Sequence, residues 1–449
     1  MNLLHAGFAR SNINPMLGIG VDGYFIERYA DDILDDLEAN CLALSAGESK
    51  TLLITLDLLG PKSACYDMFR EAIFKATGIP NEAIFISSTH THTGPIVDDS
   101  SADSKIQEYL KFLQDRIVDL AVLALRDMKP AKMGWGIGEA PNVAFVRRFR
   151  MRDGSIQTNP GVNNPDIVEP IGSIDERVNV LRFDREGGET LVLANFGNHP
   201  DVVGGCSISG DWPSMTRRTV EKVLDNTKCI FFNGAQGDVN HVNVHPNGGD
   251  FNGMFHDFDG VSRGYAHAQH IANVVTGAVL QVFVKVCYVD VDSIRTMSHV
   301  FQLPSNMPNP EDLPNARYIN QMHIDGKDAE LPYKGMMLTT VVAEAQRMIR
   351  LENGPESFRM ELSGVAVGPV VMVGIPGEPF NDIGLGIKDT EDWDVILPCC
   401  LTNGYIGYFP TMNAYTEGGY EARSSSFKAG VAERIVEEAK KMLTKLKEA

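Results

Sequence analysis

The densest chemistry in the sequence is the run Ser88-Thr89-His90-Thr91-His92-Thr93-Gly94-Pro95, which ends an apolar stretch. In extended chain, side chains two residues apart point to one side, so His90 and His92 can converge on one ion or one substrate atom. The Gly-Pro that follows turns the chain away. A second apolar run, Leu191 to Phe196, ends in Gly197-Asn198-His199-Pro200, and His199 adds the third nitrogen that a catalytic zinc site wants. Two more runs end in the same manner. Val371 to Ile375 delivers Pro376-Gly377-Glu378-Pro379, a carboxylate on a tight turn, and Ile396 to Thr402 delivers Asn403-Gly404-Tyr405-Ile406-Gly407-Tyr408. Ligands bind at the carboxyl ends of strands in open α/β sheets, so the four segments are expected to meet at one edge.

The elements that must position these residues follow from periodicity. Thr51 to Leu59 reads as a strand, Tyr66 to Ala76 as a helix and Ala83 to Ser88 as a second strand, which implies a parallel pair with a crossover. Ile106 to Met128 repeats apolar residues at helical intervals until Lys129-Pro130 stops it. Strands at Val178 to Phe183, Thr190 to Phe196 and Cys229 to Phe232, with a helix after Pro213, continue the alternation. Asn240 to Gly264, rich in Gly, Asn, His and Asp, reads as a long surface loop, and Pro304 to Pro314 as the best linker. A helix follows over Tyr333 to Leu351. Phe358 to Val365 and Val370 to Ile375 flank Gly368-Pro369 as a hairpin, and Gly430 to Leu446 closes the chain as an amphipathic helix. The expected fold class is α/β: a layered mixed sheet with helices packed outside and the metal site at strand carboxyl ends. Residues 1–449 are expected to form one catalytic domain, with a subdivision, if any, near 304–314.

Composition narrows the partners. With 40 Lys and Arg against 59 Asp and Glu, the net charge of 40 − 59 = −19 disfavours nucleic acid and anionic membrane surfaces. The 43% apolar content supports a full core. No apolar run reaches the ~18 residues of a membrane span, and the start MNLLHAGFARSNINP lacks a secretory layout. A cytoplasmic protein without stable membrane association is expected, or an extracytoplasmic one if a leader has been removed. Its partner would be a small-molecule substrate, and it could form a homo-oligomer. The seven cysteines are scattered and fit neither a zinc knuckle nor a disulfide framework.

Taken in order, STHTHTGP, NHP, FFNGAQGDVN, GIPGEPF and NGYIGYFPTMNAYTEGGYEA resemble the catalytic domain of the neutral/alkaline non-lysosomal ceramidases, zinc amidases of lipid metabolism that split ceramide into sphingosine and a fatty acid. The resemblance spans nearly the whole chain, without the signal peptide and C-terminal immunoglobulin-like domain of those enzymes. It implies Zn2+ held by His90, His199, Glu378 and Tyr408, with His92 beside the metal facing substrate or the developing oxyanion. It also implies catalytic roles for His92 and Tyr408, the tyrosine acting as ligand or proton donor. One position departs: the ceramidases place a serine, proposed as essential, three residues before GDV, where this sequence has Gly234. Zinc so held keeps a position for water, lowers its pKa and polarises a carbonyl, so direct attack by metal-activated water is expected.

Arg147 and Arg148 fall where the ceramidases place an Asn-Arg segment near substrate, and a guanidinium fork suits an anionic group. His241, His245 and His256 read as exposed loop histidines, of which His241 is the candidate substrate contact. Tyr420, with Tyr415 and Glu421, is expected in the pocket wall or directly behind it, and Asp211 as a helix N-terminal cap. The expected function is zinc-dependent hydrolysis of an amide bond in an N-acyl compound. Two alternatives stand beside it: a metal-dependent esterase, or a hydrolase or lyase acting on an acidic carbohydrate, and a catalytically silent ligand-binding homologue.

Overall fold

Alternate residues along the apolar runs bury on opposite faces, and this alternation builds the layers. The computed structural model describes residues 4–248, 254–257 and 260–448. The larger sheet contains β1 (His5–Asn12), β2 (Glu38–Ala46), β3 (Ser49–Leu56), β4 (Ile84–Ser88), β5 (Lys129–Glu139), β6 (Arg177–Arg185), β7 (Thr190–Phe196), β8 (Thr227–Asn233) and β9 (Cys287–Val289). Its order is β8-β7-β6-β5-β1-β2-β3-β4, with β9 also paired to β5. The smaller sheet runs β10 (Ile294–Pro304), β11 (Ser357–Val367), β12 (Val370–Gly374), β13 (Val395–Cys399), in chain order. Both sheets are mixed: β3/β4, β7/β8 and β12/β13 are parallel, while the other ladders of these two sheets are antiparallel.

Between the sheets lies one apolar layer, to which β3 and β4 send Leu53 and Phe85, β7 sends Leu191 and Leu193, and the smaller sheet sends Val365, Val367, Met372 and Leu397. The residues one step along face outward. Leu52, Ile54, Leu56, Ile84 and Ile86 pack under α1 (Ser63–Thr77) and α2 (Ser104–Arg126). Val192, Ala194 and Phe196 pack under α3 (Asp211–Val223) and α4 (Tyr265–Phe283). On the far side, Leu362, Val371 and Val373 meet α7 (Asn381–Lys388) and α8 (Val431–Glu448), so the stack is helix, sheet, sheet, helix. Each fully buried leucine contributes about 1.5–3 kcal/mol, and truncating Leu113, on the buried face of α2, would cost about 2–5 kcal/mol.

Two glycines let helices approach the larger sheet closely. A β-carbon at Gly7 would lie 2.1 Å from the Ala124 carbonyl of α2, and one at Gly138 would lie 2.2 Å from the Ala278 carbonyl of α4. Helix α2 begins at an Asp103 cap that accepts from the Lys105 amide, and the chain passes almost at once into β5. Residues 305–312 lead to α5 (Leu313–Ile324) and α6 (Met336–Leu351), a helix pair with its own core of Ala316, Ile319, Val341 and Val342. Among the described residues, no helix is long and apolar enough to cross a membrane.

The stretch expected as a surface loop is partly inside. His241 is buried and Ser262–Arg263 pairs with Phe255–His256, whereas His245 and His256 are exposed. Residues 249–253 and 258–259 of that stretch lie outside the described residues.

Candidate metal centre

Three parallel strand pairs point their carboxyl ends at one place. His90 follows β4 by two residues at φ +77°, a left-handed conformation rarely adopted by residues other than glycine. The bend is held by the Thr89 and His90 amides, which donate to the Leu56 and Leu58 carbonyls at 2.9 Å each. His90 Nδ1 lies 2.7 Å from the Leu59 carbonyl, and since a carbonyl only accepts, the ring proton sits on Nδ1. Nε2 therefore offers a lone pair inward. His199, three residues beyond β7, is set the same way by the Gln236 carbonyl 3.3 Å from its Nδ1. One ligating nitrogen each of His90, His92 and His199 lies within 4.8 Å of the other two, and all three rings are buried.

Glu378 closes the group. Its Oε2 lies 3.2 Å from His90 Nε2 and 3.7 Å from His199 Nε2, and its Oε1 accepts from the Tyr405 hydroxyl at 3.0 Å. Glu378–Pro379 pairs in parallel with Tyr408–Phe409, which brings Tyr408 to the same wall. Burial alone would raise the Glu378 carboxyl, but His90, His199 and Arg147 hold it at about 2. Burial pushes His92 down to about 3 and, with Arg147 nearby, holds His199 well below the usual imidazole range. Tyr405 and Tyr408 stay neutral phenols, raised first by burial and then by the Glu378 charge.

This donor set fits a divalent cation. Buried imidazoles next to a carboxylate, with the outer ring nitrogens of His90 and His199 each fixed by a carbonyl, make the arrangement that metal ligands need. His90 Nε2 and both nitrogens of His92 are buried without a hydrogen bond, which a cation would relieve.

Charged pairs set the loops that carry the donors. Asp57, just past β3, binds Arg217 of α3 through both oxygens at 2.9 and 2.6 Å and accepts from the Thr89 hydroxyl at 3.3 Å. Asp201, two residues after His199, is held by Arg263 at 2.9 Å on each oxygen and by the Tyr24 hydroxyl at 2.8 Å. His92 Nδ1 lies 3.6 Å from Asp201. Asp211 does not cap its helix as expected: Gly210 precedes α3, and the buried Asp211 accepts from the Val202, Val203 and Trp212 amides, tying down the loop beyond His199.

A cavity of about 50 Å³ opens beside the imidazoles, with His92, Arg147, His199, Asp201, Tyr408 and Tyr420 in its wall. Beyond it lies a cleft of about 450 Å³. The structure thus brings together His90, His92, His199, Glu378 and Tyr408, with Arg147 and Tyr420 on the cavity. Arg147 already binds Glu421 and the Gly237 carbonyl, each at 2.6 Å, and its guanidinium lies 5.5 Å from the Tyr408 ring centre.

Arg148 and His241 are not brought into the cavity wall. Successive side chains of extended backbone diverge, so Arg148 turns from its neighbour to Glu417 and the Gly418 carbonyl. His241 lies under the Ser262–Arg263 strand, with Nε2 2.6 Å from the Ser262 carbonyl. Gly234 offers no open slot either: a β-carbon there would lie 2.9 Å from the Gly197 amide nitrogen. Sequence reasoning passed over Tyr405, although it stands in the same motif as Tyr408, and over Asp201, whose signal is its position directly after His199-Pro200.

No protein family model and no curated protein matches the sequence. Among solved structures, the fold is similar to that of neutral ceramidase from Pseudomonas aeruginosa, with a TM-score of 0.73 and 15% identity over 99% of this chain and 75% of that one. A ceramidase complexed with C2 matches with the same TM-score and identity, over 99% of this chain and 76% of that one. At this identity the likeness is one of fold.

Proposed function

We propose that the chain is a zinc-dependent hydrolase that cleaves the amide bond of an N-acyl compound with water as the nucleophile. The observation that carries this reading is the convergence of three buried imidazoles and the Glu378 carboxylate at the carboxyl ends of parallel strands. The shared fold with neutral ceramidase supports amide chemistry in particular. We assign His90, His199, Glu378 and Tyr408 as the residues that hold the ion. When bound, zinc supplies a Lewis acid for the carbonyl and acidifies water. Because both sheets contribute to this set, residues 1–449 act as one catalytic unit.

The protein's own groups do the rest. His92 remains neutral at working pH, since burial holds it near 3, so it orients water or substrate by hydrogen bonding rather than carrying charge. Tyr408 keeps its proton and can donate to the carbonyl oxygen as charge develops, with Arg147 beside its ring. Arg147 and Arg263 on the cavity are each engaged by a carboxylate, Glu421 and Asp201, which weighs against an acidic sugar held there by a guanidinium.

The test is metal analysis of the purified protein together with a screen of amides, esters and uronate sugars. We expect zinc at one ion per chain, amine release that stops with a chelator and returns with zinc, and indifference to serine-directed acylating reagents. A protein without bound metal, or a substrate fragment attached to any serine after quenched turnover, counts against the reading.

A further inference from the structure

The cavity at the metal centre does not stand alone. It shares Asn159 and Met336 with the cleft of about 450 Å³, so the two adjoin across these side chains. That volume exceeds what a water and a carbonyl need and matches the binding site of a small molecule. Its wall is mixed, with Ser155, Gln157, Thr340 and the backbone of 417–419 set among Ile156, Met336 and Met337. Of its charged residues, Glu417 is paired with Arg148 and Arg423 with Glu344. Lys334 is exposed, with no ion-pair partner among the described residues.

Asn159 sits at the junction, and its side-chain orientation follows from a chain of hydrogen bonds. The Val242 amide can only donate, so the Asn240 atom it meets at 3.0 Å is Oδ1. Asn240 therefore presents Nδ2, and the Asn159 atom it meets at 3.0 Å is Oδ1. This leaves the two N–H donors of Asn159 Nδ2 without an acceptor among the described residues. The backbone at Asn159 is left-handed, φ +47°, with its amide bonded to the Arg147 carbonyl at 2.8 Å.

We propose that this cleft binds the non-reacting end of an N-acyl compound that carries a carboxylate, of which an N-acyl amino acid is the simplest member. Asn159 Nδ2 donates to the bound group at the inner end, and Lys334 supplies the positive charge further out. The inference rests on the hydrolase reading for the bond that is broken, but the site can be tested by binding alone.

The experiment measures equilibrium binding of N-acetylleucine, its uncharged amide N-acetylleucinamide and N-acetylsphingosine to wild type, Asn159→Asp and Lys334→Gln, each with and without zinc. Aspartate keeps the acceptor for Asn240 and tolerates the left-handed backbone but loses both donors. We expect N-acetylleucine to bind about tenfold more tightly than its amide, Asn159→Asp to weaken it about tenfold or more, and Lys334→Gln to weaken it about threefold, with unchanged melting temperatures. Equal binding of the charged and uncharged compounds, tightest binding of N-acetylsphingosine, or binding indifferent to Asn159→Asp overturns the proposal. Binding of N-acetylleucine through Asn159 without any amide turnover would leave the cleft assignment standing and remove the hydrolase reading.

Discussion

The Tyr405 hydroxyl donates to Oε1 of Glu378 at 3.0 Å while Oε2 of the same carboxylate faces His90 and His199. One oxygen is thereby committed to the protein and the other turned toward the imidazoles. Loss of such an outer hydrogen bond typically costs 10- to 100-fold in metal affinity. Tyr405→Phe is therefore expected to bind zinc about 10-fold or more weakly in competition with a chromophoric chelator, with a small change in melting temperature. Equal zinc affinity would show that the carboxylate is oriented without Tyr405.

Glu378→Gln tests the carboxylate itself. The substitution nearly preserves volume but removes the negative charge, so zinc content after dialysis should fall far more than it does for the same change at the exposed Glu48. Unchanged zinc content removes Glu378 from the ligand set.

The Asp57–Arg217 pair is buried on both sides, and breaking it leaves a bare charge in the core. Arg217→Met should destabilise the fold by about 3–5 kcal/mol, and adding Asp57→Asn should recover part of that loss. Chemical denaturation of Arg217→Met, Asp57→Asn and the double variant checks both statements. A double variant as unstable as the sum of its single changes would mean the two residues act independently.

Burial raises Asp238 to about 7, above the ordinary value of 3.8, although the Asn381 amide donates to it at 2.7 Å. The folded state thus binds more protons than the unfolded one between these values. Its stability contribution is full below about pH 4 and is lost as pH rises toward 7. Asp238→Asn keeps an acceptor for Asn381 but does not titrate, so its stability relative to wild type should improve from pH 4 to 7 and level off above. Parallel stability curves over that range would show that Asp238 is already ionised in the fold.

Much of the layered fold is legible in the apolar runs, because alternation at period two assigns each of β3, β4, β7 and β8 a face toward helices and a face toward the second sheet. The face-to-face stacking of two sheets was not legible, since a strand buried on both sides looks alike whether a helix or a sheet covers it. Helix α4 escaped for a related reason: it is apolar around much of its circumference and gives little helical contrast. At the site, the histidines and Glu378 stand out because strand ends announce them. Asp201, Arg263 and Tyr405 act through partners far away in sequence, such as the 62-residue separation between Arg263 and Asp201, and no local pattern encodes such a pairing.

The crowding at Gly234 has a consequence for how this scaffold could change its chemistry. A side chain at that position would press on the backbone of Phe196 and Gly197, directly before the turn that carries His199. A single-codon change from glycine to serine would therefore not install a nucleophile. It would instead push on the 196–197 backbone, which leads directly into the turn that carries His199. A serine at this position therefore calls for an accompanying shift of the 196–197 backbone, so its effect depends on changes elsewhere in that segment.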